Sequence, residues 1–506
     1  MGKTSDFYYE ITALHKEVTG SCLMVLIYYP DGRKTMFLVD CGLFQEKDYL
    51  WRNAEKFPFN CENVEFVLIT HNHADHMGRL PMLVNAGFKG KIYATETTKI
   101  LMLPALQDSH QIMKEEAKKK KEKPQYEDTD VQRAFSSTQG CKLEETVYLD
   151  RNIKATFFDN GHLIGSAMIL VQISYPGYKD LNLFFTGDYK PHNIFREVKP
   201  LPLWARQIPK TFVVESTYGY METSQIHYHF EDDVAKLTSE GKNLLIFIFA
   251  QQRAQEILFF LKNMQESGRL DKKIPIYLDG KLSHVYTKIY SSCEVGIDED
   301  KRDFLPANLV LVTKENRNEV LYSKEQKIIL TTSGMADHGP AQIYVPAFVE
   351  RSDYAFYFTG YTSKTTLGYK LQHPAEDGTV KIQGKDMHVN AQVLWTNEAS
   401  SHAKADELEN LIASCSKNQL LLINHGQEEV QQQFACRIED KKLAKRVEII
   451  GEHIARVNCY GCVKIMGSKC YADRPKLSAK VNKKETHKTS KKRMFIRKPR
   501  RIVFQH

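Results

Sequence analysis

Short apolar runs, separated by turn residues and longer polar stretches, follow one another along the first half of the chain. These runs are rich in valine, isoleucine, phenylalanine and threonine, the residues typical of β-strands. The strands predicted there are residues 35–39, 64–70, 183–186 and 211–214. A long polar stretch with helical spacing lies at 99–123, and we expect its lysine-rich end to be an exposed helix face.

The second half alternates strand and helix signals more regularly. An apolar run at 244–250 precedes residues 252–264, whose apolar positions have helical spacing. Further strands are predicted at 274–278, 309–312, 328–332 and 355–359, and a last one at 419–424. Such alternation is typical of a mainly parallel sheet covered by helices, so an α/β fold is expected.

Length and composition indicate a globular protein of more than one domain. The 506 residues predict two or three domains, and 42% hydrophobic residues are enough to build a large core. The longest strongly apolar run, 244–250, is much shorter than the ~18 residues of a membrane span, and the N-terminus lacks an apolar signal core. Ten scattered cysteines suit a reducing compartment. A cytoplasmic enzyme with no membrane partner is therefore expected.

The positive charge is concentrated at the C-terminal end. Residues 474–506 contain 13 Lys or Arg and one acid, so they carry +12, while the formal net charge of the whole chain is only +8. The rest of the chain is therefore mildly acidic. Blocks of like charge repel one another and stay disordered until an anion binds. We expect a disordered basic tail that contacts nucleic acid, the alternative being a tail that only increases solubility.

The strongest chemical signal is the segment Thr-His-Asn-His-Ala-Asp-His, which directly follows the predicted strand at 64–70. It places His71, His73, Asp75 and His76 within six residues. Imidazole nitrogen and carboxylate oxygen are the ligands that zinc prefers, together with thiolate. One histidine alone would more often be structural, but four such groups at this spacing predict a metal site.

Three further ligand candidates follow the same pattern, an apolar strand and then a His or Asp beside glycine. His162 lies in Asp-Asn-Gly-His-Leu-Ile-Gly, Asp188 in Phe-Phe-Thr-Gly-Asp, and His425 in Leu-Leu-Ile-Asn-His-Gly. Each would more often be a cap or a core residue if it stood alone. Because His425 follows the strand at 419–424, the second α/β region is predicted to be an insertion in the first.

These motifs, taken together, resemble the metallo-β-lactamase superfamily. Glu-Ser-Thr-Tyr-Gly at 215–219, Ser-His-Ala at 401–403 and Asn-His-Gly at 424–426 resemble its β-CASP nuclease branch. The resemblance implies an αββα metallo-β-lactamase sandwich with an inserted α/β β-CASP domain. The expected boundaries are 1–215 and 399–470 for the two parts of the sandwich, 216–398 for the insertion, and 471–506 for the basic tail.

The resemblance also implies roles for individual residues. His71, His73 and His162 would hold a first Zn²⁺ and Asp75, His76 and His425 a second, with Asp188 bridging the two. Asp40 would support the ligand loop by hydrogen bonds. Asp75, Glu215 and His402 are the predicted catalytic residues, Asp75 being a ligand as well.

The chemistry implied is hydrolysis of RNA phosphodiester bonds by a hydroxide that two metals activate. His402, which is not needed as a ligand, would protonate the leaving oxygen, and Glu215 would orient the imidazole of His402. The alternative for Glu215 is a cap at the end of a strand. In this branch a His at the position of His425 accompanies RNA substrates, so RNA is the expected partner.

Several alternatives stay open at the level of sequence. A DNA nuclease of the same branch is one, a small-molecule metallo-hydrolase is another, and a non-catalytic RNA-binding scaffold is a third. The chain could act as a monomer or as a homodimer. Cys459, Cys462 and Cys470, with His453 nearby, are expected to be ordinary thiols, the alternative being a structural zinc site.

Overall fold

Two large mixed sheets and one parallel sheet make up the structure, a computed structural model. It describes residues 7–15, 18–226, 228–292, 294–415, 418–451 and 453–467. The predicted basic tail at 471–506 and Cys470 lie outside these residues. Among the residues described, no helix is long and apolar enough to cross a membrane.

The first part of the chain, up to Val214, supplies most strands of the two mixed sheets. Its strands are β1 (Tyr8–Ala13), β2 (Leu23–Tyr28), β3 (Lys34–Val39), β4 (Val64–Leu68), β5 (Lys91–Thr95), β6 (Thr138–Cys141), β7 (Thr146–Tyr148), β8 (Ile153–Asp159), β9 (Ala167–Ile173), β10 (Leu181–Phe185) and β11 (Lys210–Val214). Its helices are α1 (Ala74–Met77), α2 (Leu80–Asn85), α3 (Glu96–Lys120), α4 (Asp128–Ser136) and α5 (Leu203–Gln207).

The middle of the chain forms a separate sheet with its own helices. The strands of this sheet are β12 (Asn243–Phe247), β13 (Ile276–Asp279), β14 (Leu309–Val312), β15 (Ile328–Thr331), β16 (Tyr354–Phe358) and β19 (Gln392–Trp395). Between β16 and β19, β17 (Thr379–Ile382) and β18 (Lys385–His388) pair with each other as a separate two-stranded sheet. The helices are α6 (Phe230–Ser239), α7 (Arg253–Glu266), α8 (Lys281–Tyr290), α9 (Arg317–Tyr322), α10 (Ala341–Phe348) and α11 (Leu367–Gln372).

The last part returns to the first two sheets. It contains α12 (Ala405–Ser414), β20 (Asn418–Ile423), α13 (Glu428–Asp440), β21 (Val447–Ile449), β22 (His453–Asn458) and β23 (Val463–Gly467). One sheet has the order β23-β22-β1-β2-β3-β4-β5-β6, and the other has the order β21-β20-β11-β10-β9-β8-β7. Both sheets are thus completed by strands from both ends of the sequence.

The two mixed sheets pack face to face, with helices on their outer faces. Val25 of β2 and Leu183 of β10 belong to one buried cluster between the sheets. On the far side of the first sheet Leu101 of α3 packs in one cluster with Val67 of β4. On the far side of the second, Phe434 of α13 packs in the same cluster as Phe212 of β11. The layers are therefore α, β, β and α, as predicted.

The middle sheet has the order β14-β13-β15-β12-β16-β19, and all of its strand pairs are parallel. Every residue of its central strand β12 is buried. A strand covered on both faces needs no alternation of polar residues, which explains the continuous apolar run in the sequence. The expected α/β insertion with a mainly parallel sheet is therefore present, while the proposed domain boundaries stay predictions.

Two predicted strands end earlier than expected by more than one residue, each for a local reason. The strand predicted at 64–70 ends at Leu68, because the Thr70 N–H donates to the Asp40 carboxylate (2.8 Å) instead of a neighbouring strand. The strand predicted at 244–250 ends at Phe247, because the chain must turn before α7 begins at Arg253. Phe249 is consequently 38% exposed.

Candidate metal centre

The predicted ligands lie where strands of the two mixed sheets end. β10, β11 and β20 are parallel neighbours, so their carboxyl ends share one edge of the sheet. Asp188 follows β10, Glu215 follows β11 and His425 follows β20. His162 lies in the connection between β8 and β9 at the same edge. The His71–His76 segment comes from the end of β4 in the facing sheet, and its His73 is the N-cap of α1.

Three histidines and one aspartate form a first group. The ligating atoms of His71, His73, His162 and Asp188 all lie within 4.8 Å of one another. Asp188 Oδ2 is 3.6 Å from His71 Nε2 and 3.5 Å from His162 Nε2. His73 Nδ1 lies 3.3 Å from His162 Nε2. These four side chains therefore present nitrogen and oxygen to a common point.

A second group contains Asp75, His76 and His425, again with ligating atoms within 4.8 Å. The Nε2 atoms of His76 and His425 are 3.0 Å apart. Asp188 Oδ1 is 3.4 Å from His76 Nε2 and 3.4 Å from His425 Nδ1. One oxygen of Asp188 thus faces the first group and the other oxygen faces the second.

The donor atoms fit a pair of metal ions better than a network of hydrogen bonds. His71 Nε2 is fully buried and has no hydrogen-bond partner among the residues described. A buried polar atom is costly to leave unpaired. Ring nitrogens that approach one another at 3.0 and 3.3 Å cannot both carry protons without repulsion. A shared cation explains the unpaired atom and the close approaches together, and the His and carboxylate set matches zinc.

Burial and charge favour the cation-binding protonation state of several of these groups. His76 is an exception, because Asp188 and Asp40 outweigh the effect of burial and raise its pKa well above the ordinary value. Burial lowers the pKa of His73 to about 4 and that of His425 to about 3, so both imidazoles are neutral at pH 7. Burial raises the pKa of Asp188, but the surrounding cluster of histidines, which includes the protonated His76, outweighs burial and holds that pKa well below its usual value. Neutral imidazole and ionised carboxylate are the ligand forms of these side chains.

Buried hydrogen bonds to the ring nitrogens that face away from the centre orient the histidine ligands. Asp40 Oδ2 accepts from His76 Nδ1 at 2.7 Å, which directs the lone pair of His76 Nε2 into the centre. Asp40 has φ 62°, a left-handed backbone that is uncommon for a residue with a side chain. His162 Nδ1 donates to the Ser401 carbonyl at 2.8 Å. Gly42 is required beside α1, since a Cβ there would lie 1.6 Å from the Asp75 carbonyl oxygen.

His402 and Glu215 form a pair at the edge of the first group. His402 Nδ1 is 2.9 Å from Glu215 Oε2, and His402 Nε2 is 3.9 Å from Asp188 Oδ2. Glu215 Oε1 accepts from the Tyr189 N–H at 2.6 Å, which holds the carboxylate in place. Burial lowers the pKa of His402, but Glu215 and Asp188 outweigh burial and raise it above the ordinary value. The contact expected between Glu215 and His402 is present.

Three family profiles match successive parts of the chain. Residues 18–142 match the metallo-beta-lactamase superfamily, residues 254–371 match the Beta-Casp domain, and residues 386–450 match the Zn-dependent metallo-hydrolase RNA specificity domain. Ribonuclease TTHA0252 of Thermus thermophilus is 31% identical over 82% of this chain and 92% of its own length. The chain belongs to the metallo-β-lactamase superfamily, in its β-CASP branch.

Other β-CASP relatives match along similar lengths. Transcription termination factor FttA of Methanocaldococcus jannaschii is 30% identical over 85% of this chain and 69% of its own length. An RNase J-like protein of the same organism is 26% identical over 84% of this chain and 93% of its own length. This β-CASP chain is therefore a metal-dependent hydrolase, while the roles of its individual site residues stay predictions.

The sequence analysis did not predict some contacts of the metal centre. Thr217 Oγ1 lies 3.1 Å from His425 Nδ1, and His425 itself has φ 51°. Asn72, between two predicted ligands, forms a buried pair of amide hydrogen bonds with Gln251, which lies between β12 and α7. Gln251 Nε2 donates to Asn72 Oδ1 at 2.9 Å. The position of Asn72 between two predicted ligands could have marked it as a residue of the site. No local pattern in the sequence identifies Gln251 as its partner.

The cysteine cluster contributes no metal site among residues 453–467. Cys459 is buried and Cys462 exposed, and both are free thiols. Burial raises the pKa of Cys459, which disfavours the thiolate that zinc needs. No group of three ligands in the described part of the chain includes either cysteine. The proposed contribution of Cys470 lies outside the described residues.

Proposed function

We propose that this β-CASP hydrolase is a ribonuclease that cleaves RNA phosphodiester bonds with two zinc ions per chain. The match of residues 386–450 to an RNA specificity domain supports RNA as substrate, and so do the relatives named as ribonucleases. His71, His73 and His162 would hold one ion and Asp75, His76 and His425 the other, with Asp188 between them. When bound, such a pair of ions lowers the pKa of water and clamps the anionic phosphate.

The observation that carries the proposal is the position of Asp188 and His402. Asp188 directs one oxygen toward each ligand group, with distances of 3.4 to 3.6 Å to four imidazole nitrogens. His402 Nε2 lies 3.9 Å from Asp188 Oδ2, so its proton is directed at the same centre. A proton donor beside two cation sites is an arrangement that supports cleavage of a phosphodiester.

His402 is the proposed general acid. Its Nδ1 is engaged by Glu215, so the proton that can be donated is on Nε2. Glu215 and Asp188 raise the pKa of His402 against the effect of burial, which keeps this proton on the ring near neutral pH. The leaving ribose oxygen is strongly basic and needs protonation as its bond breaks.

Glu215 acts through His402 in this proposal. Its carboxylate is buried and is held by the Tyr189 N–H, so it can fix the tautomer and orientation of the imidazole.

Asp75 is proposed as both ligand and catalytic residue. Burial raises the pKa of Asp75 to about 6 in the absence of a cation, and a cation bound by this carboxylate would lower that pKa again.

The proposal is tested by measuring the cleavage of an RNA strand and of a DNA strand with the same sequence. We expect cleavage of the RNA, with two zinc ions per chain by elemental analysis, and loss of cleavage after exhaustive chelation that zinc restores. The match to an RNA specificity domain argues against DNA as the preferred substrate. Preferential cleavage of the DNA strand, or full activity after chelation, would overturn the proposal.

A further inference from the structure

His15 is a buried histidine that belongs to neither ligand group. It lies two residues after β1 and is 1% exposed. Its Nδ1 atom accepts a hydrogen bond from the Cys22 N–H at 3.2 Å, so the proton of the neutral ring is on Nε2. Burial, together with the nearby His76 and Arg52, lowers the pKa of His15 to about 3, and the ring is therefore neutral at pH 7.

The side chain of Asn424 lies beside the ring of His15. A hydrogen bond to this side chain raises the pKa of His15 against the larger effect of burial. The nitrogen that can donate it is Nε2, because Nδ1 already accepts from Cys22. Neither His15 Nε2 nor Asn424 Oδ1 makes any other hydrogen bond within the described residues, and both atoms are buried. Since buried polar atoms are costly to leave unpaired, each of these two atoms is the partner available to the other.

Asn424 is the residue directly before the ligand His425. Its N–H donates to the Val214 carbonyl at 2.9 Å, which continues the pairing of β20 with β11. Asn424 also lines the small cavity beside the metal ligands, together with His76 and His425. A contact that fixes the Asn424 side chain therefore fixes the start of the loop that carries His425.

The backbone of His425 is in a conformation that needs such support. Its φ of 51° lies in the left-handed region, which is uncommon for a residue with a side chain. The Ser216 N–H donates to the His425 carbonyl at 3.1 Å, and the Thr217 hydroxyl donates to the same carbonyl at 3.2 Å. Both contacts come from the end of β11, in the same sheet as β20. His15 comes from the facing sheet, so it supports the loop from a second direction.

We propose that His15 is a positioning residue for the second metal ion, and that it acts through a hydrogen bond from its Nε2–H to Asn424 Oδ1. The inference rests on the proposed function, in which Asp75, His76 and His425 hold the second zinc. Loss of the hydrogen bonds that keep metal ligands in place typically weakens metal affinity ~10–100-fold. A neutral imidazole supports the loop without adding a positive charge beside the cation. His15 should therefore affect the second zinc and leave the first unchanged.

Paired substitutions at His15 separate the hydrogen bond from packing. His15→Phe keeps a buried ring but cannot donate, whereas His15→Gln keeps an N–H donor and an oxygen acceptor. The metal-free proteins are titrated with zinc in competition with a chromophoric chelator, which gives the affinities of two binding steps. We expect His15→Phe to weaken one step about tenfold or more, and His15→Gln to weaken it by less than about threefold. The other step should be unchanged in both variants.

Two further variants identify the step and control for the loss of a buried histidine. His425→Ala removes a ligand of the second group, so it should abolish the same step that His15→Phe weakens. His110→Phe is the matched control, since His110 is also buried and its Nε2 donates to the Tyr126 carbonyl at 3.2 Å, outside both ligand groups. This control should bind zinc like the wild type in both steps.

A double-mutant cycle shows whether His15 acts through Asn424. Asn424→Leu removes the acceptor and should weaken the same step as much as His15→Phe does. The double variant should bind zinc no more weakly than either single variant, because both substitutions remove one and the same hydrogen bond. Independent losses that multiply would overturn the proposal. If His15→Phe does not fold, Asn424→Leu still tests the hydrogen bond, and wild-type zinc affinity in that variant would overturn the proposal as well.

Cleavage of RNA by the wild type is measured in parallel. If the wild type binds fewer than two zinc ions or does not cleave RNA, the proposed function is wrong, and this inference with it. If the wild type binds two zinc ions and cleaves RNA, but His15→Phe changes neither binding step, only the positioning role of His15 is wrong.

Discussion

The metal centre and the loops around Phe249 both lie beyond the carboxyl ends of parallel strands, yet they are built in opposite ways. At the metal centre the side chains are titratable and mostly buried, and they are held by hydrogen bonds such as the 2.7 Å contact between Asp40 and His76. Phe249, in contrast, is an aromatic and partly exposed side chain, and its ring lies against two glycines, Gly334 and Gly360.

The difference shows where a substitution should change the reaction. Buried, preorganised charges stabilise a developing transition state, so substitutions there change the rate of reaction. Exposed side chains outside the two ligand groups contribute no such stabilisation, so substitutions there should change the rate little. The pair formed by Asn72 and Gln251 connects the two regions. Substitutions in one region should therefore leave a kinetic signature that differs from substitutions in the other.

Removal of metal ligands should have the largest effect. His73→Ala or Asp75→Ala deletes a donor from one group, and we expect zinc content and RNA cleavage to fall together, by roughly 10³-fold or more in kcat. Elemental analysis and single-turnover kinetics measure the two quantities. A variant that loses its zinc and still cleaves RNA at the wild-type rate would contradict the two-metal account.

His402→Ala should have the next largest effect, ~10²–10⁴-fold on RNA cleavage, because the leaving oxygen loses its proton donor. Zinc content should stay at the wild-type level. A nitrophenyl phosphodiester has a weakly basic leaving group, so its hydrolysis should fall by less than about tenfold. Equal losses on both substrates, or loss of zinc, would show that His402 is not the general acid.

Glu215→Gln should give a milder version of the same pattern. The amide can still contact His402 Nδ1 but carries no charge, so the imidazole loses the carboxylate that favours its protonated form. We expect a loss of about tenfold in RNA cleavage and a lower apparent pKa on the alkaline side of the kcat profile. The sign follows from the raised pKa of His402, whose protonated form is lost at lower pH once Glu215 is neutral. If the pH dependence of kcat is unchanged, Glu215 only caps the end of β11.

Truncation after residue 473 should change turnover least. It removes 13 Lys or Arg, so binding to a long RNA should weaken and its dependence on salt should become less steep, since fewer counterions are released. Turnover of a very short substrate should stay within about twofold of the wild type. Titrations at several salt concentrations test this proposal. The same salt slope with and without the tail would mean that the tail only increases solubility.

Local patterns in the sequence predicted ten of the 23 strands of the described residues, and the kind of chemistry. The predicted strand 309–312 has the observed bounds, and the predicted helix 252–264 is found at Arg253–Glu266. The histidines and aspartates could be proposed as ligands because a strand followed by a polar residue and glycine is a local signal. For the same reason the tail could be characterised by its charge alone.

Contacts between distant residues could not be read from these patterns. His76 and His425 are 349 positions apart, and Glu215 and His402 are 187 positions apart. The resemblance to the β-CASP branch suggested both associations, but not that Asp188 directs a different oxygen to each group. Gln251 as the partner of Asn72 and Phe249 as an exposed ring were not predicted at all.

By itself, then, the sequence determined several of the strands and helices, where the charge lies and which side chains can bind a metal, because these depend on neighbouring residues. Only the tertiary structure decided which ligands meet, which hydrogen bonds orient them and which aromatic ring stays exposed. Those outcomes depend on strand order and on the space left between strand ends, as at Gly334 and Gly360 around Phe249. Strand order and this space arise only when segments far apart in the chain pack together.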